Sequence, residues 1–167
     1  MKKKLSPTVF LAQAAMIAAL DIVLTFIANA LGLANYAIQV RFSEALTILP
    51  YFTPAAIPGL FAGCLLSNIL TGCMPLDVLF GSLATLVGAF GTYALRKHKW
   101  LAPLPPIIAN ILVVPLVLSY VYQFEGSLPY FALTVGIGEF ISCGILGMIV
   151  LNALQKHAGK IFQGIYK

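Results

Sequence analysis

The fold class this sequence predicts is an all-α membrane protein, a bundle of six transmembrane helices, and three observations predict it. The 167 residues are 60% hydrophobic and only 9% charged, with a mean hydropathy of +0.97, whereas soluble domains carry about a quarter of charged residues. The apolar residues gather into five long runs and one shorter run, punctuated by Gly, Pro and Asn. Nine of the ten basic residues lie in three clusters that flank those runs: Lys2, Lys3 and Lys4; Arg96, Lys97 and Lys99; and Lys156, Lys160 and Lys167. Basic residues collect on the cytoplasmic side of short loops. Placing all three clusters there fixes six crossings with both termini cytoplasmic, in a single membrane domain over 1–167 of a bacterial cell membrane.

The first span is expected over 8–31. Its lysines, apolar run and small residues around Ala28–Ala30 have the outline of a removable signal, but 24 residues rise about 36 Å as a helix, enough to cross ~30 Å of hydrocarbon. The second, 41–51, is short for a crossing: it is either tilted and joined to part of 37–40, or a partly broken element lining a cavity. The others are 54–72, 77–95, 103–124 and 129–155. Starting inside, loops 32–40, 73–76 and 125–128 face out, and loops 52–53 and 96–102 face in. The LAPLPP stretch (101–106) opens the fifth helix, where proline is tolerated in the first turn. Trp100 reads as an interfacial anchor. Cys64, Cys73 and Cys143 lack ligand spacing and read as small core residues. Cys64 and Cys73, taken as lying along one helix, would stand ~13 Å apart, too far for a disulfide.

A charge inside a spanning helix costs about 2.5–3.5 kcal/mol on insertion scales, so the five acids are the functional candidates. Asp21 lies deep in the first helix, Glu44 begins the second, Asp77 begins the fourth, Glu125 sits in an outer loop and Glu139 lies in the sixth. At about 100° per residue, Asp77 shares a face with Gly81, Ala84, Gly88 and Gly91, opposite Leu79, Leu83, Leu86 and Phe90. Glu139 shares one with Ala132, Gly136, Ser142 and Cys143, opposite Ile137, Ile141, Ile145 and Met148. Both carboxylates are therefore expected to look inward. Arg41 is the one cation on the outer side and can pair with Glu44 three positions on, which leaves at least two carboxylates without a protein partner. Asn68 offers a donor and an acceptor beside them. Tyr36, Phe42, Phe80, Tyr120 and Tyr130 are placed to stack on a flat ring or to form an interfacial belt.

HExxH, GxSxG and Walker A motifs are missing, and His98 and His157 fall in the basic clusters. The expectation is a protein that is not an enzyme and needs no cofactor or metal. The net charge of +5 flanks apolar runs, so nucleic acid is not an expected partner.

The stretches VRFSEALTILPYFTPAAIPGLFAGCLLSNIL (40–70), DVLFGSLATLVGAF (77–90), LAPLPP and GIGEFISCGILG resemble the QueT family. These are S components of energy-coupling factor importers, assigned to queuosine precursors. The resemblance implies a six-helix bundle with an outward-opening pocket for a 7-deazaguanine, such as its 7-aminomethyl form. It also implies partners, a transmembrane scaffold (T component) and two ATPase subunits, with toppling in the lipid bilayer to release cargo. Within that family reading, Glu139, Asp77, Asn68, Arg41, Glu44, Tyr36 and Phe80 are the candidate ligand residues. One carboxylate would accept N1–H and the 2-amino group together, and a second the cationic substituent. Scaffold contact is expected from small-residue pairs on the first helix, where Ala14/Ala18 and Ala15/Ala19 compete. Ala14 and Ala18 share a stripe with Asp21 and Thr25 that should turn toward the bundle, which favours Ala15 and Ala19. An S component for another flat heterocyclic vitamin and a ligand-free assembly subunit are the alternatives.

Overall fold

The computed structural model describes residues 6–33 and 40–162. Among them every regular element is helical: α1 (Pro7–Ala30), a 3₁₀ segment (Phe42–Tyr51), α2 (Ala56–Leu70), α3 (Pro75–Ala94), α4 (Leu104–Leu116), α5 (Leu128–Glu139), α6 (Gly147–Gln155) and the short α7 (Ala158–Ile161). A π-helical stretch, Val117–Val121, extends α4, and another, Phe140–Leu146, joins α5 to α6 in one rod. Four helical stretches are long and apolar enough to cross a membrane: Pro7–Ala30, Pro75–Ala94, Leu104–Val121 and Leu128–Gln155. Helix α2 is apolar but shorter, at 15 residues.

Local chemistry sets the helix starts. Ser6 caps α1, its Oγ accepting from Val9 N at 3.3 Å, with Pro7 following. Ser127 caps α5 in the same way, accepting from Tyr130 N at 3.4 Å. Proline also opens α3, where the missing N–H costs nothing. Gly72, at φ +77°, closes α2 and directs the chain into the turn before α3. Cys73 therefore lies beyond the end of α2, not on one helix with Cys64 as the sequence suggested. All three cysteines are free.

Small residues decide which helices touch. A Cβ at Gly59 would sit 2.7 Å from Ala14 O, and one at Gly63 would sit 3.1 Å from Ala18 Cα, so α1 and α2 approach backbone to backbone. Gly88 receives Pro106 of α4, whose Cα would lie 2.7 Å from a Cβ there. The Thr92 hydroxyl donates to Ala102 O at 2.9 Å beside it. In lipid, where burying apolar surface provides no drive, such close contact is what joins helices.

The 3₁₀ segment is the axis of the bundle, contacted by α1, α2, α3, α6 and the π turn after Glu139. Ten residues of 3₁₀ helix rise about 20 Å, less than ~30 Å of hydrocarbon, so this element by itself is not a full-length span. Of the two forms expected for 41–51, the broken element is the one found. Ser43 through Pro50 are buried, so irregular backbone at this depth is enclosed by protein.

One end of the bundle is closed. Phe52 and Phe162 stack with centroids 5.3 Å apart and planes at 9°. Around them Ile48, Leu49, Leu60, Ala102 and Leu151 form the apolar core. At that end Lys99 Nζ donates to Gln155 Oε1 at 3.1 Å, which brings two of the basic clusters together. The Arg96 guanidinium lies 3.9 Å from the Tyr93 ring centroid. Trp100, 77% exposed, stands beside them as an interfacial anchor would.

Candidate functional site

The other end is hollow. A cavity of about 660 Å³ is lined there by residues of α1, α3, α4, α5 and the start of the 3₁₀ segment, among them Asn29, Arg41, Glu44, Asp77, Gly81, Asn110, Tyr122 and Phe124. Cys73 and Glu125, from two of the loops that charge placement assigned to the outer side, line it. Its volume suits a small organic molecule. Its charged lining is one cation, Arg41, against three carboxylates, Glu44, Asp77 and Glu125, so the lining is net acidic.

The inner wall is built around Glu44. The first turn of the 3₁₀ segment places this buried carboxylate beside Asn110 of α4, whose amide also serves Glu139. Glu139 Oε2 accepts from Cys143 Sγ at 3.1 Å, one helical turn on, and Thr47 Oγ1 donates to the same sulfur at 3.4 Å. The Arg41 backbone N–H donates to Ser142 Oγ at 3.2 Å, tying the start of the 3₁₀ segment to the π turn. Glu139 therefore backs Glu44 and does not itself line the cavity. One donor atom each from Glu44, Glu139 and Cys143 lies within 4.8 Å of the others, a spacing open to a cation. In this arrangement the thiol proton bridges to Glu139 and the cluster satisfies itself.

The rim is built around Asp77. Its Oδ2 accepts from the Tyr122 hydroxyl at 2.8 Å, and the same phenol oxygen accepts from Met74 N at 3.3 Å. Tyr122 stacks on Phe124 with centroids 5.6 Å apart and planes at 27°. Gln123 between them has φ +52°, an uncommon conformation for a non-glycine residue that turns the chain across the rim. Burial first, then the bond to Asp77, pushes the Tyr122 phenol above its usual range, so it remains a donor.

The floor lies at Gly81. Asn68 of α2 sits below it, buried, with its amide donating to Cys64 Sγ at 3.6 Å. Thr85 donates to the same sulfur at 3.4 Å. Asp21, facing Ser67, is buried below the cavity on α1.

Of the candidate ligand residues, Arg41, Glu44 and Asp77 line one cavity, and Asn68 and Glu139 stand directly behind it. Tyr36 lies outside the described residues. Phe80 is a correction: it is 44% exposed and stands with Leu76, Leu83 and Val87 on the outer stripe of α3, turned away from the cavity. Its position, three residues after Asp77, falls beyond the edge covered by neighbouring helices. The expectation of unpartnered carboxylates is also corrected, since Asp77 and Glu139 each accept a hydrogen bond. Met148, placed by the helical wheel opposite the inward face of Glu139, nevertheless packs against the core. Ala14 and Ala18 are buried against α2 while Ala15 and Ala19 are exposed, as their stripes predicted.

Two residues of the site are not among those the sequence pointed to. Asn110 carries a usable signal, a lone amide in an apolar helix, but it has no charge to mark it as costly. Tyr122 carries none. The π stretch before it adds a residue to the turn and rotates the next residues by about 100°, which no helical wheel anticipates.

An acidic, ligand-sized cavity with aromatic residues in its lining, set among helices long and apolar enough to cross a membrane, fits the class of helical membrane proteins that bind a small solute. The profile of the family described as QueT transporter matches residues 11–156. The chain belongs to that family and has a transporter role. No curated protein and no solved structure matches it.

Proposed function

We propose that this protein is the substrate-binding S component of an energy-coupling factor importer. In this reading it captures a 7-deazaguanine precursor of queuosine, with the 7-aminomethyl form preferred, and delivers it to the cytoplasm. The observation that carries the reading is the cavity, which sets the carboxylates of Glu44 and Asp77 on different walls with Tyr122 and Phe124 between solvent and interior. A flat heterocycle with hydrogen-bond donors on one edge and a cation on another complements such a site. The chain has no Walker A loop, and the reading assigns ATP hydrolysis to two partner ATPases that act through a transmembrane scaffold. The single domain crosses the bacterial cell membrane six times in this reading, its basic end cytoplasmic and its cavity external. Ala15 and Ala19, exposed on α1, would meet the scaffold, and the chain itself needs neither cofactor nor nucleic acid.

The test is calorimetric titration of the purified full chain in detergent with 7-aminomethyl-7-deazaguanine, followed by uptake in vesicles holding the chain, scaffold and ATPases. Saturable binding that requires Glu44, together with ATP-dependent uptake, is the expected result. Binding of a different flat heterocycle with no response to any 7-deazaguanine would move the protein to another cargo. The absence of any small-molecule ligand would favour an assembly subunit.

A further inference from the structure

The rim and the inner wall differ in how far they remove a bound group from water. Glu44 and Asn110 are buried, whereas Asp77 and Tyr122 remain partly open to solvent. An ammonium is strongly hydrated and costs far more to strip of water than a neutral ring edge does. A cationic group is therefore held at lower cost on the rim, and a neutral donor pair can be taken inside.

Where the rim meets the floor there is a place shaped for such a group. Tyr122 holds one oxygen of Asp77, Oδ2, at 2.8 Å. The other oxygen, Oδ1, lies 3.6 Å from where a Cβ at Gly81 would be, and Asn68 Nδ2 lies 3.2 Å from the same point. Gly81 lines the cavity, so its missing side chain leaves bare backbone beside a carboxylate oxygen that Tyr122 does not occupy. A Cβ there would press on Asn68 Nδ2 at 3.2 Å, so the patch stays open to a ligand only because position 81 is glycine. Arg41 lines the same cavity and interacts with both Glu44 and Asp77, yet three carboxylates face this one cation, which leaves negative charge in the lining for a second.

We propose that Asp77 Oδ1 and the Gly81 backbone form a subsite for a primary ammonium carried on a short substituent of the ligand, with Tyr122 as the positioning residue that fixes the carboxylate. This rests on the 7-deazaguanine reading above. Glu44 and Asn110 then read the ring edge common to all such compounds, and Asp77 decides among substituents.

The experiment titrates the full chain in detergent with three probes: 7-deazaguanine, 7-cyano-7-deazaguanine and 7-aminomethyl-7-deazaguanine. Wild type should prefer the amine. Asp77→Asn should lower affinity for the amine by roughly ten- to hundredfold, the loss of a hydrogen bond to a charged group, and leave 7-deazaguanine unaffected. Gly81→Ala should weaken both substituted probes while sparing 7-deazaguanine, whose retained affinity also reports a folded site. Tyr122→Phe should lower affinity for the amine alone, and by less than Asp77→Asn. Equal losses across the three probes in Asp77→Asn, or an undiminished amine in that variant, would sink the subsite while leaving the cargo reading intact. Failure of wild type to bind any of the three overturns the cargo reading and the subsite with it.

Discussion

The two ends of the bundle solve opposite problems with the same helices. At the closed end Phe52, Phe162, Leu49 and Leu151 pack into one apolar cluster. At the open end Arg41, Glu44, Asp77 and Asn110 line a cavity. The 3₁₀ segment runs between the two, with Glu44 near its first residue and Tyr51 at its last. A rigid packed end lets an open end keep its polar groups in fixed positions without a ligand to organise them. Stability and recognition should therefore separate along the bundle axis, which substitutions can test.

The largest effect is expected from emptying the closed end. Phe52→Ala should cost about 3–5 kcal/mol of stability, the usual penalty for deleting a buried aromatic ring, while molecules that remain folded keep their ligand affinity. Thermal unfolding in detergent and titration of the folded fraction check both halves. A binding loss in step with the stability loss would mean that the two ends are not separable.

The reverse change sits at the open end. Glu44→Gln should weaken ligand binding by about 2–5 kcal/mol, because donors on the bound molecule lose their charged acceptor, and should lower the unfolding temperature less than Phe52→Ala does, since glutamine keeps the volume and an acceptor for Asn110. Calorimetry reads the first and a melting curve the second. Unchanged affinity would take Glu44 off the binding wall.

Helix α1 sharpens the comparison on a single element. Ala14→Leu or Ala18→Leu must push against Gly59 and Gly63 and should cost about 1–3 kcal/mol of stability. Ala15→Leu and Ala19→Leu face outward and should leave stability and ligand affinity as they are, while blocking co-purification with the scaffold and ATP-dependent uptake. If the outward pair transports normally, that face is not where the scaffold docks.

The smallest effect is a titration. Burial and then the Asp77 hydrogen bond hold the Tyr122 phenol above the usual value of about 10. A raised acid favours the folded state while protonated, so the contribution is full below the unfolded value and fades as pH climbs through the folded one. In Asp77→Asn the phenolate absorbance should develop at lower pH than in wild type. An identical curve would show that the bond to Asp77 does not perturb the phenol.

The sequence was most legible where one physical rule governs many residues. Hydropathy located the long helices, and the stripes of α1 were readable because small residues and Asp21 fall at helical spacing. The inward turn of Asp77 and Glu139 came from the same geometry. Arg41, Glu44 and Asp77 were recognisable as candidates because a charge at membrane depth needs a reason. The hidden features depend on departures from the ideal helix. The 3₁₀ form of 42–51 arises from packing on several sides at once, which no local pattern encodes. The π turns after Leu116 and Glu139 reset the register, and so Tyr122 arrives at the rim unannounced. Phe80 was misplaced because sequence spacing gives a direction but not the edge of the neighbouring helix.

Helix α1 joins the two ends in another sense. It reaches the cavity at Asn29 and exposes Ala19 ten residues earlier, about 15 Å away along a rod with no break between them. A tilt of that rod changes both surfaces together. Under the proposed assembly, scaffold docking and ligand capture are then linked equilibria, and linkage is reciprocal: the factor by which cargo strengthens docking is the factor by which docking strengthens the hold on cargo. An importer that must finally let go cannot use docking alone as its signal, because a scaffold that favoured the loaded form would also tighten the grip. Release has to draw on a different source of free energy, and in this family reading that source is the nucleotide cycle of the partner subunits.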